Sequence, residues 1–257
     1  MAFIISAMNH RNGAGKTTAV INLGCALSLS GAKALLVDFD PQAGLTLSLG
    51  LEKAARNPAR AVYGKNGAVS DAIKRVSDSS LYILPAGPEL GAIEVEHRES
   101  PNRNGILVET LGAIEGDYDF ILVDSPSMLE FYIANAACAS NAILIPVPCL
   151  PRADENLRDF LNILDTLRFS HNLVFSYIGV LFNFYSASSA MCSEIVREVK
   201  RLHSGLFFKT KVPRCRALAE SAYAGRPAVE YDITAIGSMS YTRLALEVID
   251  YAGKKAA

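Results

Sequence analysis

The sequence predicts an α/β protein: a mostly parallel, twisted sheet with helices on both faces. Three observations predict it. Short apolar runs alternate with longer stretches whose apolar residues recur at helical spacing. The first run leads into a glycine-bearing segment, Asn9-His10-Arg11-Asn12-Gly13-Ala14-Gly15-Lys16-Thr17-Thr18, that opens directly onto a helix. Two further runs end in acid, at Asp38 and Asp124. In such sheets ligands bind beyond the carboxyl ends of the strands.

Phe3-Ile4-Ile5 is a short buried strand, and Ala19 to Leu27 is helical, with Val20, Leu23 and Leu27 on one face. Gly31 suits the left-handed cap that ends this helix. Ala34–Asp38 is the second strand, and its acidic end continues as Phe39-Asp40-Pro41-Gln42. Asn57-Pro58, Gly64 and Asn66-Gly67 mark residues 52–67 as a surface loop. A short helix is expected over Ser70–Val76, a strand over Leu81–Pro85 and a helix over Ile106–Ile114. Phe120–Asp124 and Ala142–Val147 are strands, with a helix between them that contains Cys138. Apolar residues at 157, 160, 161, 164 and 167 mark an amphipathic helix. Tyr177–Phe182 is a strand, Ile195–Leu202 lies on a helix, and Leu206–Val212 is the last strand. Apolar positions 241, 244, 245 and 248 mark the final helix. No repeat or linker divides the chain, so residues 1–257 are expected to form one domain.

Composition narrows the function. The 257 residues are 50% hydrophobic and 20% charged, so a large core is available and global disorder is excluded. A net charge of −1 gives no bulk attraction to nucleic acid; binding there needs a local patch. The five cysteines form no C-x-x-C pair, and four of them, in apolar or helical contexts, read as reduced core thiols of a cytoplasmic protein. No basic-then-apolar leader is seen, and no apolar run approaches the ~20 residues that span a bilayer.

Strand, glycine loop, Gly15-Lys16-Thr17 and helix make the layout of a phosphate-binding loop. Glycines let backbone N–H groups close around phosphate oxygens, and the helix N-terminus adds its positive end. Lys16 is placed for the β/γ-phosphates and the Thr17 hydroxyl for Mg²⁺. His10 stands where the strict motif has its first glycine. Asp124, at the end of a buried strand, suits a carboxylate that holds Mg²⁺ through water. The alternatives are structural turn carboxylates at Asp38 and Asp40, and a loop cap at Asn183. His10, His97, His171 and His203 have no ligand or triad spacing.

From about residue 3 to residue 250 the chain resembles the ParA/Soj/MinD family of deviant Walker A ATPases. Asn9-x-Arg11-x-Gly13-x-Gly15-Lys16-Thr17-Thr18 matches the family's N-x-K-G-G-x-G-K-T-T, and Leu35–Gln42 matches its L-L-x-D-x-D-P-Q. Tyr118–Pro126 resembles its Walker B and second switch. Asn135-Ala136, Ile145-Pro146-Val147-x-Cys149 and Val212-Pro213-Arg214 resemble ParA rather than MinD. The resemblance implies ATP and Mg²⁺, and a homodimer with ATP sandwiched between subunits. In it, Arg11 stands for the lysine that reaches the partner's phosphates, and Asn12 replaces a glycine. Gly13, Ala14, Gly15, Lys16, Thr17 and Thr18 bind phosphate; Thr17, Asp38 and Asp124 serve the metal. Asp40 positions the attacking water, with Lys16 and Arg11 beside the reacting phosphate. Asn183, Pro213 and Arg214 meet the adenine. Departures fall at Ser127 (a proline in the family), Glu130 (a glycine) and Ala43-Gly44 (Gly-Asn). Arg152 reads either as a further interface cation or as a solvated arginine at a helix start.

The implied function is an ATP-driven positioning switch: a dimer that binds nucleoid DNA without sequence preference until a ParB-like or other adaptor stimulates hydrolysis. Its cargo would be a plasmid, a chromosome or a protein assembly such as a carboxysome. The DNA contacts are expected at Lys200, Arg201, Arg214 and Arg216, within residues 197–216, where seven cations face one acid, Glu198. A merely solvated basic face is the alternative. The alternatives are a MinD-like membrane switch, for which residues 251–257 are too short and too weakly apolar to serve as the membrane helix, so that no membrane partner is expected, and a scaffold that has lost hydrolysis. Iron–sulfur carriers of this superfamily are set aside, because Cys138 lies well into its helix.

Overall fold

A computed structural model describes residues 1–51, 69–76, 78–87, 90–171, 173, 177–203 and 207–256. Within them eight strands form one sheet: β1 (Phe3–Ala7), β2 (Ala34–Asp38), β3 (Lys74–Arg75), β4 (Leu81–Leu84), β5 (Phe120–Asp124), β6 (Ala142–Pro148), β7 (Tyr177–Tyr185) and β8 (Phe207–Pro213). Their order is β3-β4-β2-β5-β1-β6-β7-β8, parallel throughout except where β3 pairs with β4. The chain works outward from β1 on one side, returns as β5, then crosses β1 and continues through β6, β7 and β8. The crevice at that reversal is where an open α/β sheet binds its ligand.

The α-helices of the described residues are α1 (Lys16–Leu29), α2 (Gly44–Ser48), α3 (Val69–Ala72), α4 (Leu90–Glu96), α5 (Ile106–Gly112), α6 (Glu130–Cys138), α7 (Ala153–His171), α8 (Ala190–Leu202), α9 (Arg216–Tyr223), α10 (Ala228–Tyr231) and α11 (Ile236–Ala256). Strand side chains alternate between two cores, as the two-residue period requires. Leu36, Leu122 and Leu144 meet α1 and α11, whereas Leu35, Val37, Ile121, Val123, Ile143 and Ile145 meet α5, α6, α7 and α8. Both faces are therefore covered, which explains why the central strands are continuous apolar runs.

Two expectations change. α1 is not amphipathic: residues 19–28 are all buried, because α11 covers the side that the sheet does not. The helix expected over Ser70–Val76 stops at Ala72, and Lys74 and Arg75 pair antiparallel with Ile83 and Tyr82. Arg75 holds that hairpin by donating to the carbonyls of Asp78 at 2.6 Å and Ser79 at 3.2 Å. The loop expected at 52–67 lies outside the described residues. Gly31 has the left-handed φ of 96° expected of it. α2, α4, α9 and α10 are too short for periodicity to announce. At the open edge, Glu247 of α11 accepts the β8 amides of Lys209 and Thr210, each at 2.8 Å. This covers edge donors that would otherwise template a foreign strand.

Gly50 and Gly225 hold the end of the α2 segment against the loop after α9. A Cβ on Gly225 would stand 2.9 Å from Gly50 Cα, and its φ is +69°. Gly225→Ala therefore combines a left-handed residue with a backbone clash, and is expected to lose on the order of 2 kcal/mol of stability in urea unfolding. Gly253→Ala, with nothing near its added Cβ, should shift the same measurement by less than about 1 kcal/mol.

Candidate functional site: a phosphate loop at the carboxyl edge of the sheet

The loop between β1 and α1 is fixed at both ends. Asn9, buried, donates from Nδ2 to the Pro146 carbonyl on β6 at 2.7 Å and accepts the Arg11 N–H at 2.8 Å. Gly13 and Gly15 have φ of 71° and 92°. At Gly15 the missing side chain matters twice, because a Cβ would also lie 2.6 Å from Asn183 Nδ2. α1 begins with no side-chain cap and no acid in its first turn. Its leading N–H groups and positive end therefore face the crevice, a built anion site. Asn12 and Gly13 are exposed, Arg11, Gly15, Thr17 and Thr18 half-buried, and Ala14 buried.

Lys16 is only 8% exposed. Its Nζ donates to Ser127 Oγ at 2.5 Å. Burial lowers the ammonium's pKa, while Asp124 and Asp40 pull the other way. Parallel pairing sets Asp38 beside Asp124 at the ends of β2 and β5. Burial, with Asp38 as an added repulsion, pushes Asp124 up to about 8. Thr17 Oγ1 donates to Asp124 Oδ2 at 2.6 Å, while the buried Oδ1 has no hydrogen-bond partner. A raised, half-satisfied carboxylate beside a fixed hydroxyl fits a divalent cation. No group of three or more acidic, histidine or cysteine ligands exists among the described residues. A cation here would complete its shell with phosphate oxygens and water, as Mg²⁺ does.

Asp38 is turned inward. Its Oδ2 accepts both the N–H and the hydroxyl of Thr46, at 2.8 and 2.6 Å, and Oδ1 accepts the Asp40 N–H at 3.3 Å. The Thr46 hydroxyl in turn accepts the Ala86 N–H at 3.0 Å. Burial raises Asp38 to about 6, against these hydrogen bonds. Asp38 thus positions α2, whose Gly44 lies so that an added Cβ would be 3.9 Å from Thr17 Oγ1. Asp40 is more open, and its Oδ1 accepts the Gln42 N–H at 2.9 Å.

On the other side of the loop, Asn183 donates to the Ala14 carbonyl at 2.9 Å, and its Oδ1 is buried without a partner. It lines a cavity of about 410 Å³ together with Gly15, Thr18, Phe184, Pro213 and Arg214. The three residues expected at a base are therefore brought together beside the phosphate loop. The basic residues are spread out instead. Lys200 lies over the ring of Phe207 at the start of β8, 5.6 Å from its centroid, and Arg214 follows the strand's other end. Seven residues of strand put these ends about 20 Å apart. Lys209 and Lys211 with Arg243 line a groove between them. Arg216 is exposed and paired with Glu220 at 2.5 Å. Arg152 is exposed, paired with Glu155 and outside the crevice contacts described above. Sequence reasoning missed Thr46 and the Lys16–Ser127 bond. Ser127 was visible only as a departure from a motif.

A lysine and a hydroxyl at the N-terminus of a helix, facing an acid at the end of a neighbouring buried strand, define a P-loop nucleotide-binding protein. A family model described as an AAA domain matches residues 2–176. The sporulation initiation inhibitor protein Soj of Bacillus subtilis is 34% identical over 251 residues, covering 96% of this chain and 98% of that protein. The chromosome partitioning protein ParA of Caulobacter vibrioides is 30% identical over 249 residues, covering 96% and 93%. Among solved structures, cobyrinic acid a,c-diamide synthase from Mycobacterium smegmatis with bound ADP and magnesium superimposes with a TM-score of 0.84 at 24% identity, covering 97% of this chain and 94% of that one. The septum site-determining protein MinD with Mg-ADP from Pyrococcus horikoshii gives 0.76 at 26%, covering 99% of each. The chain belongs to the ParA/Soj/MinD family of P-loop ATPases.

Ser127→Ala leaves the buried Lys16 ammonium without its hydrogen-bond acceptor. In the nucleotide-free protein this should cost about 1.5–3 kcal/mol in denaturant unfolding. Saturating ADP should shrink the difference if Lys16 then turns to phosphate.

Proposed function

We propose that this chain is an ATP-hydrolysing positioning switch that dimerises around ATP and binds duplex DNA without sequence preference. The observation that carries the reading is the half-satisfied Asp124 carboxylate beside Thr17, at the foot of an uncapped helix N-terminus. A buried acid with one oxygen left without a partner is costly to keep, and a bound cation would offset that cost. The family and its chromosome-partitioning relatives support the same assignment.

In this mechanism the amides of residues 13–18 receive the phosphates, and Lys16 leaves Ser127 to neutralise the β/γ-oxygens. Thr17 would hold Mg²⁺ directly and Asp124 through water, with Asp38 bracing α2 behind them. Bound Mg²⁺ would neutralise charge that develops on the phosphoryl oxygens. Asp40 orients the attacking water. Arg11, half-buried at the mouth of the loop, reaches the partner's phosphates in a homodimer; its guanidinium fork suits phosphate. Asn183, Pro213 and Arg214 receive the adenine. An adaptor protein of the ParB kind stimulates hydrolysis and ends the DNA-bound state, placing the protein at the nucleoid within the cytoplasm.

Asp40→Ala tests the chemistry. It should keep ATP affinity within a few-fold of wild type, slow single-turnover hydrolysis at least tenfold, and accumulate an ATP-bound dimer in light scattering. Unchanged turnover would assign the water to another residue.

DNA binding is tested with labelled, unrelated duplexes at low and moderate salt, with ATP and with ADP. One subunit carries few phosphate contacts, whereas a dimer joins two sets through effective concentration. Binding is expected with ATP only, independent of sequence and falling steeply with salt as counterions are released. Replacing Lys200, Arg201 and Arg216 with Glu should remove it while ATP affinity is kept. Equal absence of binding with both nucleotides would sink the nucleoid reading.

A further inference from the structure

The cavity beside the phosphate loop contains a residue whose conformation its packing does not explain. Phe184 has φ of +53°, in the left-handed region, which is strained for a bulky side chain. It sits in a bulge: between Phe182↔Lys211 and Tyr185↔Pro213, β7 advances three residues while β8 advances two. A bulge of this kind re-aims a side chain. Without it the alternation of the strand would put residue 184 on the face opposite Asn183. With it, both line the same cavity. The Phe184 ring is half-exposed rather than committed to either core. The Arg214 guanidinium carbon lies 5.1 Å from its centroid, and that arginine is otherwise exposed. Beside them the Asn183 Oδ1, 3% exposed as a residue, has no donor.

A flat aromatic face, a flat movable cation and an unmet acceptor in one cavity suit a purine that carries an exocyclic amine. We propose that Phe184 is the stacking platform for the nucleobase. The base takes the ring face that Arg214 now covers, and the guanidinium moves to the outer side of the base. Asn183 Oδ1 then accepts from the exocyclic amine. The bulge and the left-handed backbone are retained because they present the ring to the ligand. This rests on the reading of the chain as an adenine-nucleotide binder, and its test separates the two.

The chain contains no tryptophan, so Phe184→Trp places a single fluorescent reporter at the cavity. Inorganic tripolyphosphate with Mg²⁺ is the probe that fills the phosphate loop without a base. ADP should quench the tryptophan with saturation, whereas tripolyphosphate, binding by calorimetry, should leave its emission unchanged. Phe184→Leu keeps apolar bulk and loses the aromatic face. It should lose about tenfold or more in ADP affinity, as loss of one stacking partner does, with tripolyphosphate affinity within twofold of wild type. ADP binding without quenching, or wild-type ADP affinity in Phe184→Leu, would overturn the proposal. So would a Leu variant that loses ADP and tripolyphosphate alike, since that marks a structural role. If the wild-type protein binds neither probe, the nucleotide reading falls and this inference with it.

Discussion

The structure depends on charges that are buried together at one edge of the sheet. Asp38 and Asp124 end adjacent strands in register, and Lys16 opens the helix that faces them. None of the three is stable there alone, because desolvation raises the acids and weakens the ammonium. Each is held by a different neighbour: Asp38 by Thr46, Asp124 by Thr17 and Lys16 by Ser127. These contacts join β2, β5 and α1 to α2 and to the loop before α6. The site therefore also ties down the connections around it.

That arrangement makes the phosphate loop and the two acidic loops one unit. A ligand that draws Lys16 from Ser127 acts at once on the loop carrying Ser127, next to the exposed Met128 and Leu129. A cation at Thr17 acts on Asp124, and Asp38 connects the same edge to α2. Such short links are a physical route from the crevice to the surface.

Much of this was legible in the sequence, for reasons that differ by residue. The apolar runs of β1, β2, β5 and β6 read clearly because strands buried on both faces admit little else. Gly13, Gly15, Lys16 and Thr17 read clearly because phosphate binding demands those residue types in that order. The short α2 carries no period, and a hydroxyl such as Thr46 has no signature until its acceptor is known. The basic run at 197–216 reads as one patch in sequence, whereas in the fold it extends along β8, with Lys200 at one end, Arg214 at the other and Lys209 and Lys211 between them.

By itself, then, the sequence determined the fold class, the phosphate loop and the acids at the strand ends, because each depends on local periodicity or on a motif a few residues long. The tertiary structure decided what depends on register and on distant partners. It turned Asp38 inward to Thr46 and left Asp124 with a free oxygen. It buried α1 on all sides beneath α11, and through a one-residue bulge it brought Phe184 to the cavity wall beside Asn183. Such placements follow from which strand lies next to which, and no local stretch of chain encodes that.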